Sequence, residues 1–94
     1  MKSFIVSYDL KQSTYDDRAK DYERLYQKLE SYFNYARITE STWIVLGNHQ
    51  CISIRDDLLS ILRPYDRVFV CALNREGAWH NCIDIDNKVN NIIV

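Results

Sequence analysis

Glycine and proline are scarce in this chain, with two glycines and one proline in 94 residues. So few backbone breakers imply long regular elements, short connections and no flexible linker. Cysteine is sparse too. Cys51, Cys71 and Cys82 are odd in number and widely spaced, with no CxxC pair and no histidine at zinc-finger distance. They read as reduced, buried small hydrophobes rather than a disulfide or zinc framework. No apolar run approaches the ~18 residues of a membrane span, and no apolar leader opens the chain, so the expectation is a cytoplasmic protein without a membrane partner. Excess charge is also absent. Twelve basic and thirteen acidic residues leave a net charge of −1, which argues against a protein that coats long nucleic acid through a strong positive field. A local basic patch, or a metal bridging a carboxylate to a phosphate, remains compatible with that balance. There is no GxSxG, no phosphate-binding glycine loop, no Cys–His pair, no internal repeat and no low-complexity segment.

What is present begins at the N-terminus. Residues 3–9 read as a strand whose alternation places Ile5, Ser7 and Asp9 on one face and Phe4, Val6 and Tyr8 on the other. A carboxylate aligned with a buried strand is unfavourable unless it sits at the rim, finds a partner or binds a metal. Asp9 is therefore the first candidate for chemistry, with a turn or helix-capping role as its structural alternative.

Ser13 or Thr14 is placed to cap a helix, with Asp16 and Asp17 favourable near its N-terminus. Ala19, Tyr22, Leu25, Tyr26, Leu29, Tyr32 and Phe33 then recur at steps of three and four, which predicts an amphipathic helix of about five turns. Residues 35–47 switch to strand period, and Glu40-Ser41-Thr42 reads as the join between two strands, with one long bulged strand as the alternative. A second helix carries Cys51, Ile54, Leu58, Ile61 and Leu62 on one face, with Asn48 as its cap and Pro64 as its stop. Residues 67–73 are apolar on both faces and predict an interior strand. In the tail, Ile85, Val89, Ile92 and Ile93 fit a short helix capped by Asp84 or Asp86, while Cys82–Ile85 alternates as a strand would.

The order is strand, helix, two strands, helix, strand and tail in one domain of residues 1–94. Right-handed crossovers then give an α+β, ferredoxin-like βαββαβ sandwich. Two helices cover one face of a four-stranded antiparallel sheet, and residues 74–94 form a C-terminal extension. The second sheet face is left for the tail or a second copy, so a homodimer is expected.

The blocks Ser7-Tyr8-Asp9-Leu10, Glu40-Ser41-Thr42-Trp43-Ile44-Val45, Ile54-Arg55-Asp56-Asp57-Leu58-Leu59 and Asp66-Arg67-Val68-Phe69-Val70 carry a family resemblance. Over residues 3–73 the chain resembles the CRISPR-associated protein 2 superfamily, including the virulence-associated protein D endoribonucleases. The resemblance implies a ferredoxin-like dimer. In it, Asp9 from each chain is the catalytic residue and the ligand of a Mg²⁺ ion for phosphodiester cleavage. Ser41, ahead of Trp43, matches a serine-then-aromatic pattern, where its hydroxyl either bonds a phosphate or closes the hairpin turn. The nucleic-acid-binding expectation falls on Tyr8 and Arg37, with Tyr15 and Trp79 as further stacking rings. The glycine-and-aromatic signature of RNA-recognition sheets is absent, so core or dimer contact is the competing role for these rings. The arginines are scattered and the chain is slightly acidic, which argues against duplex DNA as the ligand.

His49 and His80 have no partner at ligand spacing. Adjacent carboxylates on a helix point about 100° apart, so neither Asp16-Asp17 nor Asp56-Asp57 converges on one ion. Two functions stay open. One is a metal-dependent endonuclease acting on RNA or single-stranded nucleic acid as a homodimer. The other is a non-catalytic dimeric module that presents a protein- or nucleic-acid-binding surface.

Overall fold

The computed structural model describes residues 1–11 and 14–93. The elements run β1 (Lys2–Asp9), α1 (Arg18–Glu30), β2 (Asn34–Thr39), β3 (Thr42–Gly47), α2 (Cys51–Leu59), β4 (Arg67–Ala72) and α3 (Asp86–Ile92). The four strands form one sheet in the order β2-β3-β1-β4, antiparallel at every junction. This is the ferredoxin-like βαββαβ arrangement with a third helix appended.

Alternation along β1 works as its sequence requires. Phe4 lies opposite Val45 on one side and Ala72 on the other, and Val6 lies between Trp43 and Val70. Phe4, Val6, Trp43, Val45 and Val70 meet Leu25 and Leu29 of α1 and Ile54 and Leu58 of α2 in the main core. Each such burial contributes roughly 1.5–3 kcal/mol.

Several boundaries differ from the sequence expectation. Helix α1 stops at Glu30, where the Ser31 hydroxyl donates to the Lys28 carbonyl at 2.5 Å. Phe33 continues the helical spacing but falls in the turn to β2 and is exposed. At the other end, the Thr14 carbonyl accepts from the Asp17 and Arg18 amides, and Asp17 occupies the cap position. The Ser13 alternative lies outside the described residues. Gln50, not Asn48, precedes α2. Ile85, not Asp84 or Asp86, precedes α3, because the Asp84 carboxylate is turned to β2. The thiols are less buried than expected, with Cys51 and Cys82 half-buried and Cys71 exposed.

The largest correction concerns β4. It is an edge strand rather than an interior one, since the second crossover lays it beside β1 at the end of the sheet. Its Val68 and Val70 pack against the main core, while Phe69 on the opposite face is 61% exposed.

The tail covers part of that second face. Ile92 is fully buried with Ala36, Ile44 and Leu46, and the Ser3 hydroxyl donates to the Ile92 carbonyl. Ahead of α3, the Ile83 and Asp84 amides donate to the Ile38 and Arg37 carbonyls, both at 3.0 Å. The Arg37 amide donates back to Asp84 Oδ2 at 2.6 Å. The tail thus clips the β2 edge and caps the face beside it. Ile92→Ala should lower unfolding stability by about 2–5 kcal/mol, the range for a core aliphatic truncation, in a denaturant titration run beside Leu25→Ala. A loss below about 1 kcal/mol would mean that the tail contributes little to the folded unit.

Candidate functional site

Asp9 closes β1 on the face away from α1 and α2. It stands at the sheet rim, opposite Arg67 in the β1–β4 register. Its carboxylate is exposed and meets Lys11 Nζ at 3.0 Å. Such an exposed pair is worth about 0–1 kcal/mol. The rim position and the lysine together explain how the strand tolerates a charge.

The nearby Asp66 does not supply a second ligand. Its two oxygens accept the Lys11 amide at 2.7 Å and the Arg63 amide at 3.0 Å, tying the start of β4 to the end of β1. Among the described residues no group of three or more His, Cys, Asp or Glu side chains could hold a metal ion. Magnesium keeps near-ideal octahedral geometry and is bound through carboxylates. One carboxylate ion-paired to a lysine, facing an arginine across the ladder, does not fit that ion within a single chain.

Ser41 lies in the tight turn between β2 and β3 and is exposed. Its carbonyl accepts the Tyr8 amide at 3.1 Å, extending the β1–β3 ladder past the strand end. Tyr8 itself points into the core and is 4% exposed. Its hydroxyl donates to the Glu40 carbonyl at 3.0 Å and accepts from Trp43 Nε1 at 3.0 Å. The ring is therefore a core member rather than a platform on the surface. Burial, reinforced by Tyr26, pushes its pKa above the ordinary tyrosine value. Tyr32 is shifted the same way by burial and by Asp57, which accepts its hydroxyl at 3.2 Å.

Arg37 is also on the helix side, half-buried. Its guanidinium lies 4.7 Å from the Tyr26 ring centre and 6.0 Å from that of Trp43. Nη2 donates to the Tyr26 hydroxyl at 3.0 Å and the Glu40 carbonyl at 3.2 Å, and the buried Nε has no acceptor among the described residues. The residues named from sequence therefore divide. Tyr8, Arg37 and the Ser41 turn gather around Trp43, whereas Asp9 stands on the other face.

His49 packs edge-on to Tyr32, with centroids 5.2 Å apart. Its ring also explains Gly47, where an added Cβ would come within 2.6 Å of the imidazole. Phe69, Asp84 and Lys88 were not legible as site residues. Phe69 was concealed by the apolar character of its strand, and Asp84 meets Arg37 across 47 positions of sequence.

Tyr8 and Tyr32 set an alkaline limit. With folded-state pKa values above the unfolded value of about 10, their contribution is intact below about pH 10 and is lost as pH rises and the unfolded chain ionises first. Thermal unfolding should shift to lower temperature above that pH, with tyrosinate absorbance appearing together with unfolding. Tyr8→Phe should flatten this decline. At neutral pH it should cost about 1–3 kcal/mol, because the Trp43 N–H loses its acceptor. An unchanged alkaline decline in that variant would show that Tyr8 is not the group held neutral.

Compared with known proteins, the chain matches no family model and no curated protein.

Proposed function

We propose that this protein is a non-catalytic homodimeric assembly module whose interface is the uncovered part of the second sheet face, along β1 and β4. The observation that carries this reading is Phe69. It is a large apolar side chain left 61% exposed, on an edge strand whose outer side pairs with no strand among the described residues. Isolated apolar residues on a surface are ordinary, but here Cys71 and the half-buried Ile5 and Ser7 continue the patch. A second copy is the occupant that the charges favour. Asp9 and Arg67 sit side by side across the ladder, so a two-fold axis passing between them would bring each Asp9 toward Arg67 of the second copy, as a self-complementary surface requires.

Sedimentation or light scattering should give a dimer for the native chain and a monomer for Phe69→Lys, with circular dichroism unchanged. A native chain that stays monomeric up to about millimolar concentration, corresponding to less than about 4 kcal/mol of association, would overturn the assembly reading.

A second reading is favoured by the position of Asp9 on this same face. In it the dimer is a metal-dependent endonuclease for RNA or single-stranded nucleic acid, and the partner supplies the second carboxylate. Incubation with RNA and single-stranded DNA, in Mg²⁺ or EDTA, should then show cleavage that Asp9→Ala abolishes. Equal degradation by the native chain and the variant would remove Asp9 from any such chemistry.

A further inference from the structure

At the opposite edge of the sheet from β4, α1, the β2–β3 strands and the tail enclose an open pocket of about 280 Å³. Arg37 lines it, and its charge is not balanced. Among the described residues no carboxylate pairs with this guanidinium. Its acceptors are a phenol oxygen, that of Tyr26, and an amide oxygen, the Glu40 carbonyl, and its buried Nε has no acceptor among the described residues. A guanidinium keeps its proton in proteins and forms its strongest hydrogen bonds with carboxylate or phosphate oxygens. A half-buried cation supported only by neutral groups favours an anion beside it.

Lys88 supplies a second positive charge on the same pocket, with Nζ 4.1 Å from the Tyr35 ring centre. It forms an ion pair with Asp84 at 3.5 Å, through the same Oδ2 that already accepts the Arg37 amide. That carboxylate is thus committed to holding the tail on β2. The remaining walls include the rings of Tyr26, Tyr35 and Trp43, which suit a flat apolar group. The volume lies just under the ~300–1,000 Å³ common for drug-sized ligands, which limits the occupant to about one ring. Among the described residues Glu30 is the one lining carboxylate besides Asp84, and it opposes an anion.

We propose that this pocket binds a small aromatic oxyanion, a single ring bearing a phosphate or carboxylate whose oxygens meet Arg37 and Lys88. The site is independent of the assembly face, so failure of either reading leaves the other standing.

The test is titration of the full chain with phenyl phosphate and with benzoate, followed by NMR at the Trp43 indole N–H and the Tyr26 and Tyr35 ring signals. Phenol and benzylammonium serve as the neutral and cationic controls. At least one of the two anions should give saturable shifts, and the tighter of them identifies the headgroup. Arg37→Gln should weaken binding at least about tenfold, the scale of one charged hydrogen bond. Should that variant fail to fold, Lys88→Gln, on the short tail helix, should weaken binding by about two- to fivefold. Glu30→Gln should tighten it by a similar factor, a gain that loosened packing would not produce. The proposal is overturned by the absence of saturable shifts with both anions, by either control binding as tightly, or by weaker binding in Glu30→Gln.

Discussion

A four-stranded sheet has two faces, and α1 and α2 cover only one of them. On the other face the described tail residues, 74–93, cover only a part. Their reach is recorded along β1 itself. On the second face Ser3 is fully buried and bonded to the Ile92 carbonyl, Ile5 and Ser7 are half-buried, and Asp9 is exposed. Burial thus declines along one strand as the covering helix runs out. The apolar end of the face belongs to the tail, and the end that carries charge lies beyond it, next to β4. The exposure of Phe69 and the rim position of Asp9 are two consequences of the same limited coverage.

The helix face meets a different constraint. It contains polar groups that must be satisfied because they are buried. Tyr8 does most of this, since its hydroxyl both donates to Glu40 and accepts from Trp43, and its amide donates to Ser41. These bonds tie the β2–β3 turn to the end of β1 and hold a tight Glu40-Ser41 connection that contains no glycine. Arg37 joins the same group through the Glu40 carbonyl, but it arrives with a charge that the neutral network cannot balance. The hairpin is well anchored, and among the described residues its cation has no carboxylate partner.

Much of this fold was legible because it depends on local spacing. The faces of β1, the body of α1, the turn near Glu40-Ser41 and the apolar positions of α3 all follow from periods of two or 3.6. The errors arose where a residue's surroundings are decided by a distant segment. Phe33 keeps helical spacing, yet the chain must already be turning toward β2. Phe69 sits in a strand apolar on both faces, and such a pattern cannot reveal that the tail covers the far half of the sheet instead. Asp84 has the composition of a helix cap, but the nearby Arg37 amide captures its carboxylate. Asp9 stood out from sequence as a charge on a strand. Lys11, two residues on, is its ion-pair partner at 3.0 Å.

That pairing bears on the two roles proposed for the second face. A dimer held by Asp9–Arg67 contacts and a dimer holding a metal between two Asp9 side chains both require the same carboxylates. In the first, each Asp9 keeps a cation and the interface charges cancel. In the second, both must turn from Lys11 toward the ion while two lysines and two arginines remain around a divalent cation. Like charges repel, and although solvent screens each such exposed interaction to about 0–1 kcal/mol, four extra positive charges together weigh against the metal. A phosphate backbone would offset part of that repulsion by accepting the displaced lysines and arginines. The metal arrangement therefore becomes electrostatically reasonable only with nucleic acid already bound, whereas the charge-matched dimer needs no third component.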